Sequence, residues 1–250
     1  MKSLAFDISS ANTGWSFIDQ TKGIIANFQF GNIQPAVAMD SFQKLYFFAN
    51  EIHKVIEEWQ PDCMAFEEVI QVYGHGFKTA RTLARLSGAA ILQAYTYKKQ
   101  EVVLFEPPSW RKALGLKGNC HKTQVQLEVI RRLKLLSGAK LDVYQDKIET
   151  RLNGKDAFKE ECKLNEKELS KTIKAKYTKD EKKENKKEIE KEVKQELATL
   201  KKANKASIKL YDKETEKILK DIGVDLYIDT GLNQDVADSF GVNFALLERI

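Results

Sequence analysis

The sequence predicts an α/β domain: a mixed five-stranded sheet flanked by helices, with a helical hairpin inserted before the last helix. Three observations predict it. The first 33 residues hold three short strand-like segments divided by turn residues. From Ser41 the apolar residues recur at helical spacing, and strand-like and helical runs then alternate. Residues 138–226 break both patterns, being rich in Lys and Glu and poor in aromatics, before one more apolar helix closes the pattern.

Residues 2–8 alternate apolar and other types and run into the turn residues of "SSANTG". The segments "GWSFID" (14–19) and "GIIANFQFGNI" (23–33) follow after short turns, so the three form an antiparallel meander. Phe42, Leu45, Tyr46, Ala49, Ile52, Val55, Ile56 and Trp59 mark a helix with Ser41 as its N-cap, ended by "QPD". "CMAFEEV" (63–69) reads as a buried strand, and the polar loop "QVYGHGF" leads into a helix through "KTARTLARLSGAAILQAYTY". "VVLFEP" is a further strand, "NCHKTQVQLEVIRRLKLL" a helix with Asn119 as candidate cap, and "NQDVADSFGVNFALLERI" the last helix. The order β-β-β-α-β-α-β-α describes a mixed sheet with covering helices.

The boundaries that follow are a core over 1–137, a Lys/Glu-rich arm over 138–226, and a C-terminal helix over 227–250 that completes the core. In the arm, Cys162, Leu169 and Ile173 mark a thin apolar stripe on one helix, and Ile189, Val193, Leu197 and Leu200 another. "TKDE" (178–181) fits a capping box that starts the second helix. Two such helices make a hairpin with a narrow seam. Composition alone leaves a partly disordered linker as the alternative.

The net charge of +5 is not spread evenly. Residues 155–206 hold 17 Lys, no Arg and 12 acids, a surplus that accounts for the whole net charge and favours an anionic partner. Three cysteines, Cys63, Cys120 and Cys162, fit neither a disulfide framework nor a zinc knuckle, which points to a reducing interior. The N-terminus shows no signal-peptide pattern, and no run of about 18 apolar residues could span a bilayer. The expectation is a soluble, cytoplasmic protein with no membrane partner.

Asp7 is a carboxylate inside an apolar strand, and burying it without a partner costs several kcal/mol. Glu67 and Glu68 lie in "MAFEEVI"; strand alternation puts them on opposite faces, so one alone can share a face with Asp7. Asp235 and Asp238 open the last helix at i and i+3, on one face, among the apolar Val236, Ala237 and Phe240. Acids converging from strands and a helix start need cations, and an all-oxygen donor set suits Mg²⁺ or Mn²⁺. Two such ions about 3.5–4 Å apart suit phosphodiester hydrolysis. Taken singly, each element is also explained by a strand-end acid or by a helix dipole. Gly14, in "TGW", permits a tight turn or a close backbone approach beside such a site.

With these residues in view, the sequence resembles the RuvC-type Holliday junction resolvases of the RNase H-like nuclease superfamily. "LAFDISSANTGWSFI", "PDCMAFEEVI", "TARTLARLSGAAILQA", "HKTQVQ" and "DVADSFGVNFAL" stand in that family's order and context, over about residues 1–135 and 230–250. The resemblance implies an RNase H-like fold, a homodimer, and a Mg²⁺-dependent endonuclease, with Mn²⁺ able to substitute, that cuts two strands of a four-way DNA junction symmetrically. It implies Asp7, Glu67, Asp235 and Asp238 as the metal-holding acids, with Glu68 in the place of a family Gln, and Lys122 as a basic residue near the scissile phosphate. A second family lysine falls near "SWRKALG", where Arg111 and Lys112 are both candidates. Where the family places a junction-wedging aromatic, three residues after the strand Glu, this chain has Ile70. Tyr73 or Phe77 could substitute, although Phe77 is equally placed to staple the next helix. Lys78 and Arg81 at the head of that helix complete the candidate DNA contacts. The insertion of roughly 90 residues has no counterpart in the family and emerges just before "DVAD".

His75 and His121 are loop histidines outside any Cys/His metal pattern. No GxxxxGK[ST] or GxGxxG is present, so no nucleotide cofactor is expected. Two other readings stand beside the nuclease: a non-catalytic branched-DNA-binding protein of the same fold, and an actin- or sugar-kinase-like ATPase. The second lacks its repeated half and its glycine-rich phosphate loops. A compact resolvase with an added Lys-rich arm suggests a bacteriophage or other mobile element, working in a bacterial host cytoplasm.

Overall fold

A computed structural model describes residues 1–68, 77–98, 102–175 and 186–250. Three antiparallel strands, β1 (Lys2–Asp7), β2 (Thr13–Thr21) and β3 (Ile24–Ile33), precede α1 (Ser41–Trp59). β4 (Cys63–Glu67), α2 (Phe77–Lys98), β5 (Val102–Phe105), α3 (Pro107–Ala113) and α4 (Lys122–Arg132) follow. Two long helices, α5 (Gly138–Ala175) and α6 (Lys186–Thr230), lead to α7 (Gln234–Arg249). The sheet order is β3-β2-β1-β4-β5, antiparallel in the meander and parallel from β1 to β4 to β5. This is the mixed five-stranded, helix-flanked sheet of an RNase H-like α/β fold.

β1 is the central strand, and alternation gives it two unlike faces. Leu4 and Phe6 join one core with Phe17, Phe48, Ile52, Ile56, Met64, Phe66, Leu86 and Ala90, which packs α1 and α2 on the sheet. Phe6 stacks on Phe66 of β4 with ring centroids 5.2 Å apart. The other face of β1 carries Ser3, Ala5 and Asp7, paired in register with Ile18, Ser16 and Gly14 of β2. Small residues there form a shallow trough, and α7 lies in it. Asn243 donates from Nδ2 to the Ser16 carbonyl at 2.9 Å, and Ser3 O and Ser16 Oγ lie at 3.4 and 3.3 Å. α7 is buried without interruption from Val236 to Leu246, which explains why apolar residues occur all round it, with Asp238, Ser239 and Asn243 as the buried polar exceptions. Phe240 sets its edge against Phe28 and Phe30 of β3, and Gly241 leaves room for the Trp110 ring of α3.

The chain divides into two compact units, residues 1–141 with 223–250, and residues 142–222. The second unit is an antiparallel helix pair. Phe158 stacks on Tyr211 at 5.1 Å, and the Arg151 guanidinium lies 4.9 Å from the Tyr211 centroid. Lys155 and Lys159 both pair with Asp212, at 3.0 and 3.6 Å, and Arg151 with Glu214 at 3.7 Å. Ile173, Ile189 and Val193 are buried together, with Leu169 and Leu197 packed on them. Among the described residues no helix is long and apolar enough to cross a membrane.

Three local expectations are corrected. The N-cap of α1 is Asp40, not Ser41: its carboxylate accepts from Phe42 and Gln43, and Gln43 returns the bond to complete a capping box. The cap of α4 is His121, not Asn119, again in a capping box, with Gln124. The short helix α3 has no counterpart in the expected order, because seven residues carry too little periodicity to register. The expected "TKDE" box lies outside the described residues.

Gly14 and Gly88 make opposite tests of this packing. A Cβ on Gly14 would lie 2.3 Å from the backbone carbonyl oxygen of Asp235, whereas one on Gly88 in α2 meets nothing. Gly14→Ala is expected to cost about 1–3 kcal/mol through a backbone clash. Gly88→Ala is expected to add about 0.5–1 kcal/mol through helix propensity. Urea unfolding of the two variants checks both signs.

Candidate active site

Asp7 ends β1, the central strand, and Glu67 ends β4 beside it. Asp235 and Asp238 enter from the first turns of α7, which the trough holds over those strand ends. Asp7 lies within Coulombic reach of Glu67, Asp235, Asp238 and Lys122, and Asp238 within reach of Glu67 and Asp235. Lys122 Nζ is 2.8 Å from Asp238 Oδ2 and 3.8 Å from Asp235 Oδ1. Glu68 is exposed and its backbone N–H donates to the Phe105 carbonyl, and Glu67 is the acid of the two that lies near Asp7.

Lys122 is the first residue of α4, and its approach is set by the cap. His121 Nδ1 accepts from the Thr123 N–H at 3.2 Å, and Gln124 Oε1 accepts from the His121 N–H at 3.1 Å. Gln126 of α4 donates to the carbonyls of Leu232 and Gly223, at 2.6 and 3.1 Å, tying this helix to the segment that precedes α7. His121 therefore acts as a structural cap and holds its neighbour lysine in place.

Two site residues were not anticipated. Trp110 of α3 donates from Nε1 to Glu67 Oε2 at 2.9 Å, and Asn12 in the β1–β2 turn donates to Asp235 Oδ2 and to Asn32 Oδ1. Each fixes one oxygen of a site carboxylate. The "SSANTG" turn carried the signal for Asn12, a polar side chain in a pinned loop. Nothing local distinguishes Trp110.

Of the two basic candidates on α3, Arg111 is close enough to lower the titration of Glu67 and Asp238, while Lys112 is exposed. Arg81 is exposed on α2. Tyr73, Ile70 and His75 lie outside the described residues, as do the side chains of Phe77 and Lys78.

The electrostatics show how much charge is gathered. Burial, then the charges of Glu67 and Asp238, hold Asp7 well above the usual carboxylate range, against the pull of Lys122. Burial and Asp238 push Glu67 up to about 7, against the Trp110 hydrogen bond, Lys122 and Arg111. Burial raises Asp238 despite Lys122 and Arg111. Burial alone would lower Lys122, but Asp238 and Asp7 raise it further.

Asp238 Oδ1 is buried without a hydrogen-bond partner, so the cluster carries unused acceptor capacity that points inward. An all-carboxylate donor set of this kind fits a hard divalent cation. As the side chains stand, with the Lys122 ammonium among them, no group of three or more Asp, Glu, His or Cys among the described residues is disposed to hold a metal ion.

The raised carboxylates have a consequence for stability without metal. Glu67 titrates near 7 in the folded chain and near 4.5 when unfolded, so between those values the fold binds a proton that the unfolded chain does not. Its contribution is full below about pH 4.5 and is lost as pH rises toward 7, by at most about 1.4 kcal/mol per pH unit. Denaturation midpoints in chelator across that range are expected to fall with pH for the wild type, and less steeply for Glu67→Gln. Identical profiles overturn the assignment.

Comparison with known proteins bears on the same residues. The family profile "Crossover junction endodeoxyribonuclease RuvC" matches residues 4–148, a span that contains Asp7, Glu67 and Lys122 and stops short of Asp235 and Asp238. A crossover junction endodeoxyribonuclease RuvC from Finegoldia magna is 31% identical over 134 residues, 54% of this chain and 80% of that protein. That of Chloroflexus aggregans is 28% identical over 131 residues, 52% of this chain and 77% of its own length. Among solved structures, Thermus thermophilus RuvC is similar with a TM-score of 0.46 at 18% identity, over 54% of this chain and 81% of that one. With more than half its length matched by the family profile, and with a relative above 30% identity covered over four-fifths of its length, the chain belongs to the RuvC family of the RNase H-like nucleases.

Proposed function

We propose that this chain is a Mg²⁺-dependent, structure-selective DNA endonuclease that resolves four-way junctions or related branched DNA by hydrolysing phosphodiester bonds. The observation that carries the reading is the cluster itself: Asp7, Glu67, Asp235 and Asp238 from three separate elements, with one lysine facing them. Asp7, Glu67, Asp235 and Asp238 would hold Mg²⁺, or Mn²⁺ in its place. What such an ion supplies when bound is Lewis acidity, which favours water as a nucleophile near neutral pH and offsets charge on the phosphodiester.

The chain's own residues do the rest. Trp110 and Asn12 hold Glu67 and Asp235 by one oxygen each, which pre-orients the acids before any ligand arrives. Lys122, with its side chain 45% exposed, can reach a phosphate oxygen from the mouth of the cluster, and Arg111 adds a second positive charge. Hydrolysis adds water across a P–O bond, and the released oxygen leaves as a hydroxyl. Since phosphate contacts dominate affinity, branch shape rather than base sequence would select the substrate.

A homodimer would place two such sites on the two strands that must be cut. Phe42 and Tyr46 on α1 and Leu92 and Tyr95 on α2 are large and exposed, and α1 packs directly on α2. Apolar groups concentrated on adjacent helices suit a protein interface. Light scattering of Tyr46→Glu/Leu92→Glu is expected to show half the wild-type mass; equal masses count against this interface.

The decisive variant is Asp7→Asn. It is expected to lose more than about 100-fold in cleavage of a four-way junction with Mg²⁺ while binding that junction as the wild type does. Cleavage at the wild-type rate overturns the site. Binding without cleavage by the wild type, together with no Mg²⁺ or Mn²⁺ uptake by calorimetry, favours the non-catalytic reading.

A further inference from the structure

The helix α6 carries a feature that the cluster does not use. Lys202, Lys205, Lys209, Lys213, Lys217 and Lys220 are all exposed. Their spacings average one helical turn, so they share a face about 120° wide over about 27 Å of helix. The half-buried Ile208 and Tyr211 and the buried Thr215, Leu219 and Ile222 of α6 lie on the opposite side.

Four other cations of the arm, all on α5, are paired. Arg151, Lys155 and Lys159 are matched by Glu214 and Asp212, and Lys163 by Glu160. None of the six stripe lysines is in an ion pair among the described residues, and Glu216 is the one acid within their arc. Lys205, Lys209, Lys213 and Lys217 stand at successive i,i+4 positions, where like charges repel. α5 carries a similar i,i+4 run, Lys155, Lys159, Lys163, Lys167 and Lys171, but there three acids, Asp156, Glu160 and Glu166, fall within the same arc. A linear run of unmatched cations fits a linear polyanion.

We propose that the lysine face of α6 is a second DNA-binding surface, which lies along the phosphate backbone of a duplex arm of the branched substrate. It has no role in the chemistry. The inference rests on the nuclease reading above, which supplies DNA as the polyanion. At about 3.4 Å per base pair, the stripe spans about eight base pairs of backbone. Lysine alone, with no Arg on the face, suits sequence-independent contact with phosphates.

The test is the salt dependence of binding. The full-length wild type and Lys205→Gln/Lys209→Gln/Lys213→Gln/Lys217→Gln are titrated into a labelled four-way junction, in chelator, between about 50 and 200 mM salt. Each phosphate contact contributes about 0.9 to the slope of log affinity against log salt, so the fourfold variant is expected to lose about 3–4 from that slope. Changing the same four residues to Arg is expected to leave it intact. Gln matches Lys in helix propensity, and circular dichroism confirms the helix. Should the fourfold variant lose structure, Lys209→Gln and Lys213→Gln carry the test singly, each lowering the slope by about 0.9. Wild-type binding with an unchanged slope in the Gln variants overturns the stripe and leaves the nuclease reading standing. Failure of the wild type to bind the junction overturns the nuclease reading. Loss of polyglutamate binding by the Gln variant, with junction binding unaltered, assigns the face to an acidic protein and also overturns the proposal.

Discussion

Like charges gathered out of water repel, and the structure around Asp7 is organised by that fact. Two unit charges 4 Å apart at the edge of a protein repel by about 4 kcal/mol, more than a buried leucine contributes to stability. Four carboxylates cannot be assembled on packing energy alone, so positive charge has to stand among them. In this chain it comes from Lys122, whose ammonium meets Asp238 and Asp235, and from Arg111 nearby. Burial first, and then the remaining imbalance, make these carboxyl groups hold their protons above the usual range. The rest of the core can be read as the apparatus that keeps this unfavourable gathering together: a central strand with a small-residue face, a last helix fitted against backbone, and a capped helix that aims one lysine.

Much of this was legible before any coordinates. Period-two and period-four patterns placed the five strands and the long helices, because burial on one face leaves a trace in every second or every third to fourth residue. The pleat left one of Glu67 and Glu68 for the site, and the family resemblance pointed to Glu67. The failures have a common cause. Asp40 and Ser41 are both good caps, and the backbone entering α1 decides between them. Trp110 hydrogen-bonds a residue 43 positions earlier, and Asn12 one 223 positions later, so no window of sequence contains either pair. Arg111 and Lys112 are neighbours that differ in which side of α3 faces the site, and a helix of seven residues is too short to show a side.

Gly14 shows how close the tolerances are. It pairs with Asp7 across the sheet and touches the backbone of Asp235, so one hydrogen atom separates two of the four acids' supports. The sequence allows either a tight turn or a close approach at this glycine. The structure shows the close approach, and that approach sets how near α7 can come to β1.

The ends of the helical insertion also matter for how the molecule reaches this state. Lys140 near the start of α5 pairs with Asp229 near the end of α6, at 3.4 Å, so the chain leaves the core and returns to it at neighbouring points. Joining β1 to α7 would otherwise mean closing a loop of more than two hundred residues, with the entropy that a long closure carries. A hairpin forms from local contacts and brings its own ends together, so the residues of the insertion drop out of the search. To the folding core the insertion amounts to a short loop. The buried positions of α6 repeat at steps of three, four and four, so the hairpin can lengthen or shorten by whole repeats with its seam intact. The reach of the arm is thereby free to change over evolutionary time while the spacing of the carboxylates stays fixed.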